Sequence, residues 1–151
     1  MTRNGLKTCG VGIRGVAMAI DSFVWIGLFL VSVTAVGAAT GQLETTASGL
    51  NTSLEGQNGR IAFGLFLALG VSYHTLFEWV FGKTIGKYLV GIKVTTYNGS
   101  GVSFLSSLVR NVFRLVDFLP IFYLVGILLV LVTGKDQRLG DKLGRTIVTR
   151  T

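Results

Sequence analysis

The sequence contains one cysteine, one proline and one histidine, and its charged residues are few. A single cysteine, Cys9, excludes an intrachain disulfide. Only 14% of the 151 residues are charged whereas 50% are hydrophobic, a combination that soluble domains seldom show. The length allows one domain, and the surplus of apolar residues predicts that much of its surface faces lipid.

Negative charge is the scarcer sign, because seven Asp and Glu stand against 14 Lys and Arg, for a formal net charge of +7. Such an excess could indicate a nucleic-acid partner, but the basic residues lie at the ends of apolar segments and form no separate face. Their placement is typical of cytoplasmic loops and of contact with anionic lipid headgroups. We therefore expect the lipid bilayer as a partner, and no nucleic acid.

Residues 15–39 form the first apolar segment, which only Asp21 interrupts. At about 1.5 Å per residue, this helix is long enough for a hydrocarbon core of roughly 30 Å. Its Val, Ile, Leu and Phe residues contribute roughly −3 to −7 kcal/mol to insertion, against about +3 kcal/mol for a central Asp. A cleaved signal peptide is the alternative, but its apolar region would be too long and would hold an acid. We expect a membrane span.

Residues 61–81 form a second apolar segment, and the polar stretch before it, residues 40–59, contains no Lys or Arg. Basic residues instead precede the first segment and follow the second: Arg3, Lys7, Arg14, Lys83, Lys87 and Lys93. The positive-inside rule therefore predicts a cytoplasmic N-terminus and an external position for residues 40–59.

Two short stretches have strand patterns. Residues 91–96 alternate in the way of a strand and precede the turn signal Asn98-Gly99, and residues 146–149 match them near the C-terminus. Because a lone strand cannot satisfy its own backbone groups, we expect the two to pair on the cytoplasmic side.

Residues 103–117 carry a polar stripe at helical spacing. Two Arg and one Asp facing lipid would cost about 8 kcal/mol or more, whereas the apolar residues return at most about 5 kcal/mol. This helix cannot cross alone, so it lies in the interface or inserts with its stripe against protein. Pro120 separates it from a second short helix, residues 118–133. We favour a bent hairpin that keeps the C-terminal tail cytoplasmic; the alternative is one interfacial helix followed by one span.

Two segments share the pattern of an Arg, six residues and an Asp: Arg14 with Asp21, and Arg110 with Asp117. The paired residues share a helix face but lie about 10 Å apart, so each Asp needs a partner elsewhere. We expect Asp21 to bind Arg110 or Arg114. These charges either serve only to fix helix packing, or Asp21 binds a proton or cation during transport.

His74 and Glu78 are four residues apart on one helix face, which would suit a proton relay. They are too few to bind a metal alone. Gly82-Lys83-Thr84 lacks the preceding glycine of a phosphate-binding loop, because position 77 is Phe. With no catalytic set visible, we expect no enzyme activity, no metal and no cofactor.

The chain resembles the RDD family of membrane proteins, named for one arginine and two aspartates. The resemblance rests on Arg14 and Asp21 and on several ordered blocks: residues 82–87, 91–94, 98–99, 110–117, 137–144 and 146–148. By this match the second name-giving aspartate is Asp141, with Asp117 as an internal candidate. The family has no settled activity, and transport is suspected.

We therefore predict an all-α membrane protein with one domain, residues 1–151, three or four transmembrane or re-entrant helices at about 15–39, 61–81, 103–117 and 118–133, and a small cytoplasmic strand pair. The expected function is transport of an ion or small solute across the cell membrane, coupled to protons through Asp21, Glu78 or His74. Because the bundle is small, transport would need a homo-oligomer. The alternative is a non-transporting assembly or regulatory protein whose Arg and Asp pairs are structural.

Overall fold

The computed structural model describes residues 2–3, 6–7, 9–46, 49–117, 141 and 143–151, with the side chains of residues 2, 3, 6, 7, 11, 45, 50, 116 and 117 excepted. The predicted helix at 118–133 lies outside this range. The elements run in the order β1 (Thr2–Arg3), β2 (Leu6–Lys7), α1 (Val11–Thr40), β3 (Leu43–Thr46), β4 (Gly49–Thr52), α2 (Gly56–Phe81), α3 (Ile85–Leu89), β5 (Ile92–Thr96), α4 (Phe104–Asp117) and β6 (Thr146–Arg150).

Both apolar segments lie within long helices, the first in α1 and the second in α2. Each helix is long and apolar enough to cross a bilayer. Large apolar side chains point outward from them: Phe23 is 76% exposed, and Leu30 and Phe63 are each 57% exposed. In water these side chains would expose a large apolar patch, which is unfavourable. They therefore suit a hydrocarbon environment.

The contacts of the chain divide it into two compact units, of which one is residues 22–72. In this unit the edge of Trp25 packs against Phe66 at a centroid distance of 5.1 Å. A Cβ at Gly70 would overlap the Trp25 ring, so the glycine allows this packing. Helix α1 ends where Gly41 takes a positive φ and the N–H of Gln42 donates to the carbonyl of Gly37, a Schellman closure.

Residues 40–59, predicted only as a polar loop, contain an antiparallel hairpin of β3 and β4, in which Leu43 lies opposite Thr52. The predicted fold class was therefore correct in being mostly helical but incomplete in its strands, since β1 and β2 also pair. These strands are short, and β3 and β4 contain Glu44, Gly49 and Asn51, residue types with a low preference for strands.

The second unit comprises residues 1–21 and 73–151. Its core lies on the antiparallel pair β5–β6, in which Val94 faces Val148, and both are buried. The predicted pairing of these two strands is confirmed. The backbone N–H of Cys9 donates to the carbonyl of Val148 at 2.9 Å, which holds the start of α1 beside the strands.

Helices α3 and α4 complete the second unit. Helix α2 ends at Phe81, where Gly82 has a φ of 69° and its N–H donates to the carbonyl of Glu78. Thr84 is then the N-cap of α3, with its hydroxyl accepting from the N–H of Lys87. This sharp turn brings α3 back toward α1, and α4 follows after β5.

Candidate functional site

Glu78, in the last turn of α2, is a fully buried carboxylate. The Lys87 ammonium of α3 donates to its Oε1. From α4, the Nε of Arg110 lies 3.4 Å from Oε2, and the side-chain amide of Asn111 donates to Oε2 at 3.3 Å. Three helices thus meet at one carboxylate, and this pairing offsets the cost of burying its charge.

Asp141 is the second buried carboxylate of the site. Arg14 donates to its Oδ2 at 2.7 Å and Arg110 lies 3.0 Å from its Oδ1. The remaining guanidinium nitrogen of Arg110, Nη1, donates to the hydroxyl of Thr146 at 3.1 Å. Arg110 therefore links Glu78 to Asp141, and it ties α4 to α2 and to the start of β6.

Asp21, in α1, is equally buried but has different partners. It accepts from the hydroxyl of Thr84 at 2.6 Å, from the N–H of Gly86 at 2.8 Å and from the hydroxyl of Tyr73 at 3.2 Å. A Cβ at Gly86 would overlap the carbonyl oxygen of Ala17 and lie 2.9 Å from the Asp21 carboxyl carbon, so only glycine allows this approach.

The predicted ion pair of Asp21 with Arg110 or Arg114 was wrong. Across the described part of the chain, Asp21 forms no ion pair, and its hydrogen-bond donors are neutral. Arg110 is committed to Glu78 and Asp141. Sequence spacing could place Asp21 and the arginines near one another, but it could not show that α3 would occupy the space against α1.

His74 and Glu78, predicted to form a relay, are both buried but contact different groups. A guanidinium nitrogen of Arg114 lies 2.9 Å from Nδ1 of His74. Because arginine can only donate, Nδ1 of His74 must be the acceptor and carry no proton. In this arrangement His74 holds Arg114, while Glu78 holds Lys87 and Arg110. The relay itself stays a prediction.

The charges of the site do not balance among the described residues. Four cations, Arg14, Lys87, Arg110 and Arg114, surround three carboxylates, Asp21, Glu78 and Asp141. Burial lowers the pKa of the Lys87 ammonium from its ordinary value; Glu78 opposes this shift, and Arg110 adds to it. Because an ammonium has a lower ordinary pKa than a guanidinium and burial lowers it further, Lys87 is the cation of the site that is most easily neutralised.

Some donors of the site have no acceptor within the described ranges. The Nε and Nη2 atoms of Arg14 are buried and have no hydrogen-bond acceptor among the described residues. The Oδ1 atom of Asn111 is likewise buried and has no donor there. No group of three metal-ligating side chains occurs among the residues described. The site therefore consists of an ion-pair network around Glu78 and Asp141 and, beside it, Asp21 with neutral hydrogen-bond donors.

Sequence reasoning named most of the charged residues and missed their neutral partners. It predicted roles for Arg14, Asp21, Arg110, Arg114 and Asp141, and all of them lie in the site. Asp117 ends α4, and its side chain lies outside the description. The residues that it missed are Tyr73, Thr84, Gly86, Lys87 and Asn111. The block at 82–87, which carried part of the family resemblance but was given no role in the site, contained three of them.

One family model, that of the RDD family, matches residues 8–145. The match includes the described charged groups of the site, from Arg14 to Asp141. No curated protein and no solved structure matches the chain.

Proposed function

The chain belongs to the RDD family and is a membrane protein, and from this premise we propose that it crosses the cell membrane several times and transports an ion or a small solute. Asp21 is the residue that we propose binds the transported or coupling ion. We propose neither catalysis nor a cofactor for it.

The observation that carries this proposal is the difference between Asp21 and the other two buried carboxylates. Glu78 and Asp141 are held by guanidinium or ammonium groups, which can only donate. Two of the three donors to Asp21 are hydroxyls, those of Tyr73 and Thr84, and a hydroxyl can donate or accept. The same groups can therefore stabilise the bare carboxylate and, after they rotate, a protonated acid or a bound cation.

Among the described residues Asp21 forms no direct ion pair, although Arg114 is near enough to interact with it electrostatically. A buried carboxylate of this kind is costly in a membrane protein and marks an ion path by default. A direct ion pair with Arg110 or Arg114 would keep Asp21 ionised and occupied, which would favour a purely structural role. The donors that contact Asp21 are neutral instead, so no described cation occupies this carboxylate directly. Glu78 and Asp141, in contrast, are paired with cations, and a structural role is the simpler interpretation for them.

The second candidate is a non-transporting protein that supports the assembly or regulation of membrane partners. The saturation of Glu78 by three donors favours it, because such a network joins helices and leaves no charge available for exchange. In this case Asp21 would only fasten α3 to α1.

The strand pairing supports a topology in which both termini lie in the cytoplasm. Thr96 lies opposite Thr146, so the chain is at one place before and after residues 97–145. We propose that the number of crossings between these two residues is even. The bond between Cys9 and Val148 places the start of α1 beside the same strands. Lys and Arg are frequent on this side and absent from residues 40–59, as the positive-inside rule requires of a cytoplasmic face. We also propose a homo-oligomer, since a bundle this small has little room for a central path.

The test is flux of protons and alkali cations in vesicles containing the purified protein, with wild type compared to Asp21→Asn. The matched control is Glu44→Gln, which removes the carboxylate of an exposed residue on β3. We expect the control to transport like wild type and Asp21→Asn to be folded and inactive. Equal flux in Asp21→Asn would exclude Asp21 as the ion site. Absence of wild-type flux under every gradient would exclude transport of these ions and favour the assembly role.

A further inference from the structure

Helix α4 is amphipathic in the sense opposite to a helix on a water-soluble protein. Its polar residues are buried: Ser107 is 0% exposed, Asn111 2% and Arg110 9%. Its apolar residues Leu105 and Val112 are 68% and 45% exposed. A surface helix in water buries its apolar stripe and exposes its charges, so this orientation suits a solvent of hydrocarbon.

The partners of the buried face are protein groups on α2. The hydroxyl of Ser107 donates to the carbonyl of Thr75 at 2.9 Å, and Asn111 donates to Glu78. The two arginines of α4 bind His74, Glu78 and Asp141, and so they do not face lipid. The cost of exposing these two arginines to hydrocarbon, which made up most of the argument against inserting this helix, therefore does not arise.

The exposed face of α4 continues the apolar surface of α2. Phe104 packs edge-on against Trp79 of α2 at a centroid distance of 5.4 Å, and both rings are partly exposed. Trp79 lies two residues before the end of a helix that is apolar and long enough to span the bilayer. The lipid that surrounds α2 would thus also meet α4.

The contacts also give the direction in which α4 runs. Phe104, at its start, contacts Trp79 near the end of α2. Arg114, in the last turn of α4, contacts His74, which lies five residues before Trp79, or about 7.5 Å back along α2. Helix α4 therefore runs back along α2, away from the membrane surface.

From these observations we infer that α4 is inserted into the bilayer, with Leu105 and Val112 against lipid hydrocarbon and Val112 the deeper of the two. Helix α4 thus enters the bilayer from the end of α2 and is not a helix lying flat in the interface. This inference is independent of transport, because it requires only that the chain is a membrane protein.

The experiment places a nitroxide on Leu105→Cys or Val112→Cys in the full chain, with Cys9→Ala as the background, in phospholipid vesicles. Collision with oxygen, which partitions into lipid, is compared with collision with a water-soluble nickel chelate. Asn98→Cys, at the exposed turn after β5, is the aqueous control, and Phe63→Cys, exposed on α2, is the lipid control.

We expect both α4 labels to collide mainly with oxygen, as the Phe63 label does. Leu105 and Val112 are seven residues apart on one face, so the Val112 label should be deeper, by up to about 10 Å. Equal depths would show a helix lying flat and would overturn the inference. Shielding of both labels from both reagents would show a protein partner, such as a second copy, on this face and would also overturn it.

Discussion

Loss of one carboxylate should cost this protein more stability than loss of one cation. The perturbations are Glu78→Gln and Lys87→Met, which each remove one partner of the same buried ion pair. Glu78→Gln leaves Lys87 without its carboxylate and Arg110 with Asp141, at a site where the described cations outnumber the described carboxylates. Removing one partner of a buried ion pair typically costs about 3–5 kcal/mol, and we expect a loss in this range.

Lys87→Met should cost less, about 0–2 kcal/mol, because Glu78 keeps Arg110 at 3.4 Å and Asn111 at 3.3 Å. Methionine also fills much of the space of the lysine side chain and removes the surplus charge. The double variant should be more stable than Glu78→Gln alone, because it no longer buries the unpaired ammonium; couplings in such networks are about 0.5–3 kcal/mol.

The assay is reversible unfolding in mixed micelles with increasing SDS, followed by tryptophan fluorescence and circular dichroism for wild type, both single variants and the double variant. A loss for Glu78→Gln that equals or falls below that for Lys87→Met would refute the surplus of positive charge in the site. A loss below about 0.5 kcal/mol for both would mean that the pair is as weak as one on a surface.

Two further variants and one pair of fusions test the remaining structural conclusions. Gly86→Ala should destabilise by about 1–3 kcal/mol in the same unfolding assay, because its Cβ would overlap the carbonyl of Ala17. Gly15→Ala, which meets nothing within 4 Å, should be neutral or mildly stabilising, and equal losses for the two would contradict the close approach of α3 to α1. Reporters fused before Met1 and after Thr151 should both read cytoplasmic, and opposite readings would exclude an even number of crossings.

The two long apolar helices and the strand pair were predictable because their signals are local. The apolar lengths of residues 15–39 and 61–81 exceed what a bilayer requires, and α1 and α2 contain them. The strands at 92–96 and 146–150 each alternate within a few residues, so both could be recognised, and the need for a backbone partner joined them. The hairpin of β3 and β4 was not predicted, because its strands are short and polar.

The partner of Asp21 was not predictable, because it depends on a close approach between helices. Spacing along α1 and α4 shows which charges share a face, and the nearest opposite charge is then the natural expectation. In the structure, Gly86 lets α3 come against α1, and a backbone N–H and two hydroxyls reach Asp21 first. No pattern within one helix contains that information.

By itself the sequence determined that this chain is a membrane protein of mostly helical structure, since hydropathy and the position of basic residues are sums over neighbouring residues. Only the tertiary structure decided which charges meet. The Arg14–Asp141 pair joins residues 127 positions apart. Among the described residues Asp21 accepts from neutral donors, because Arg110 is paired with other carboxylates and Arg114 contacts His74. A buried charge without a partner is costly, so burial makes the choice of partner important for stability. Burial itself arises only when the chain folds.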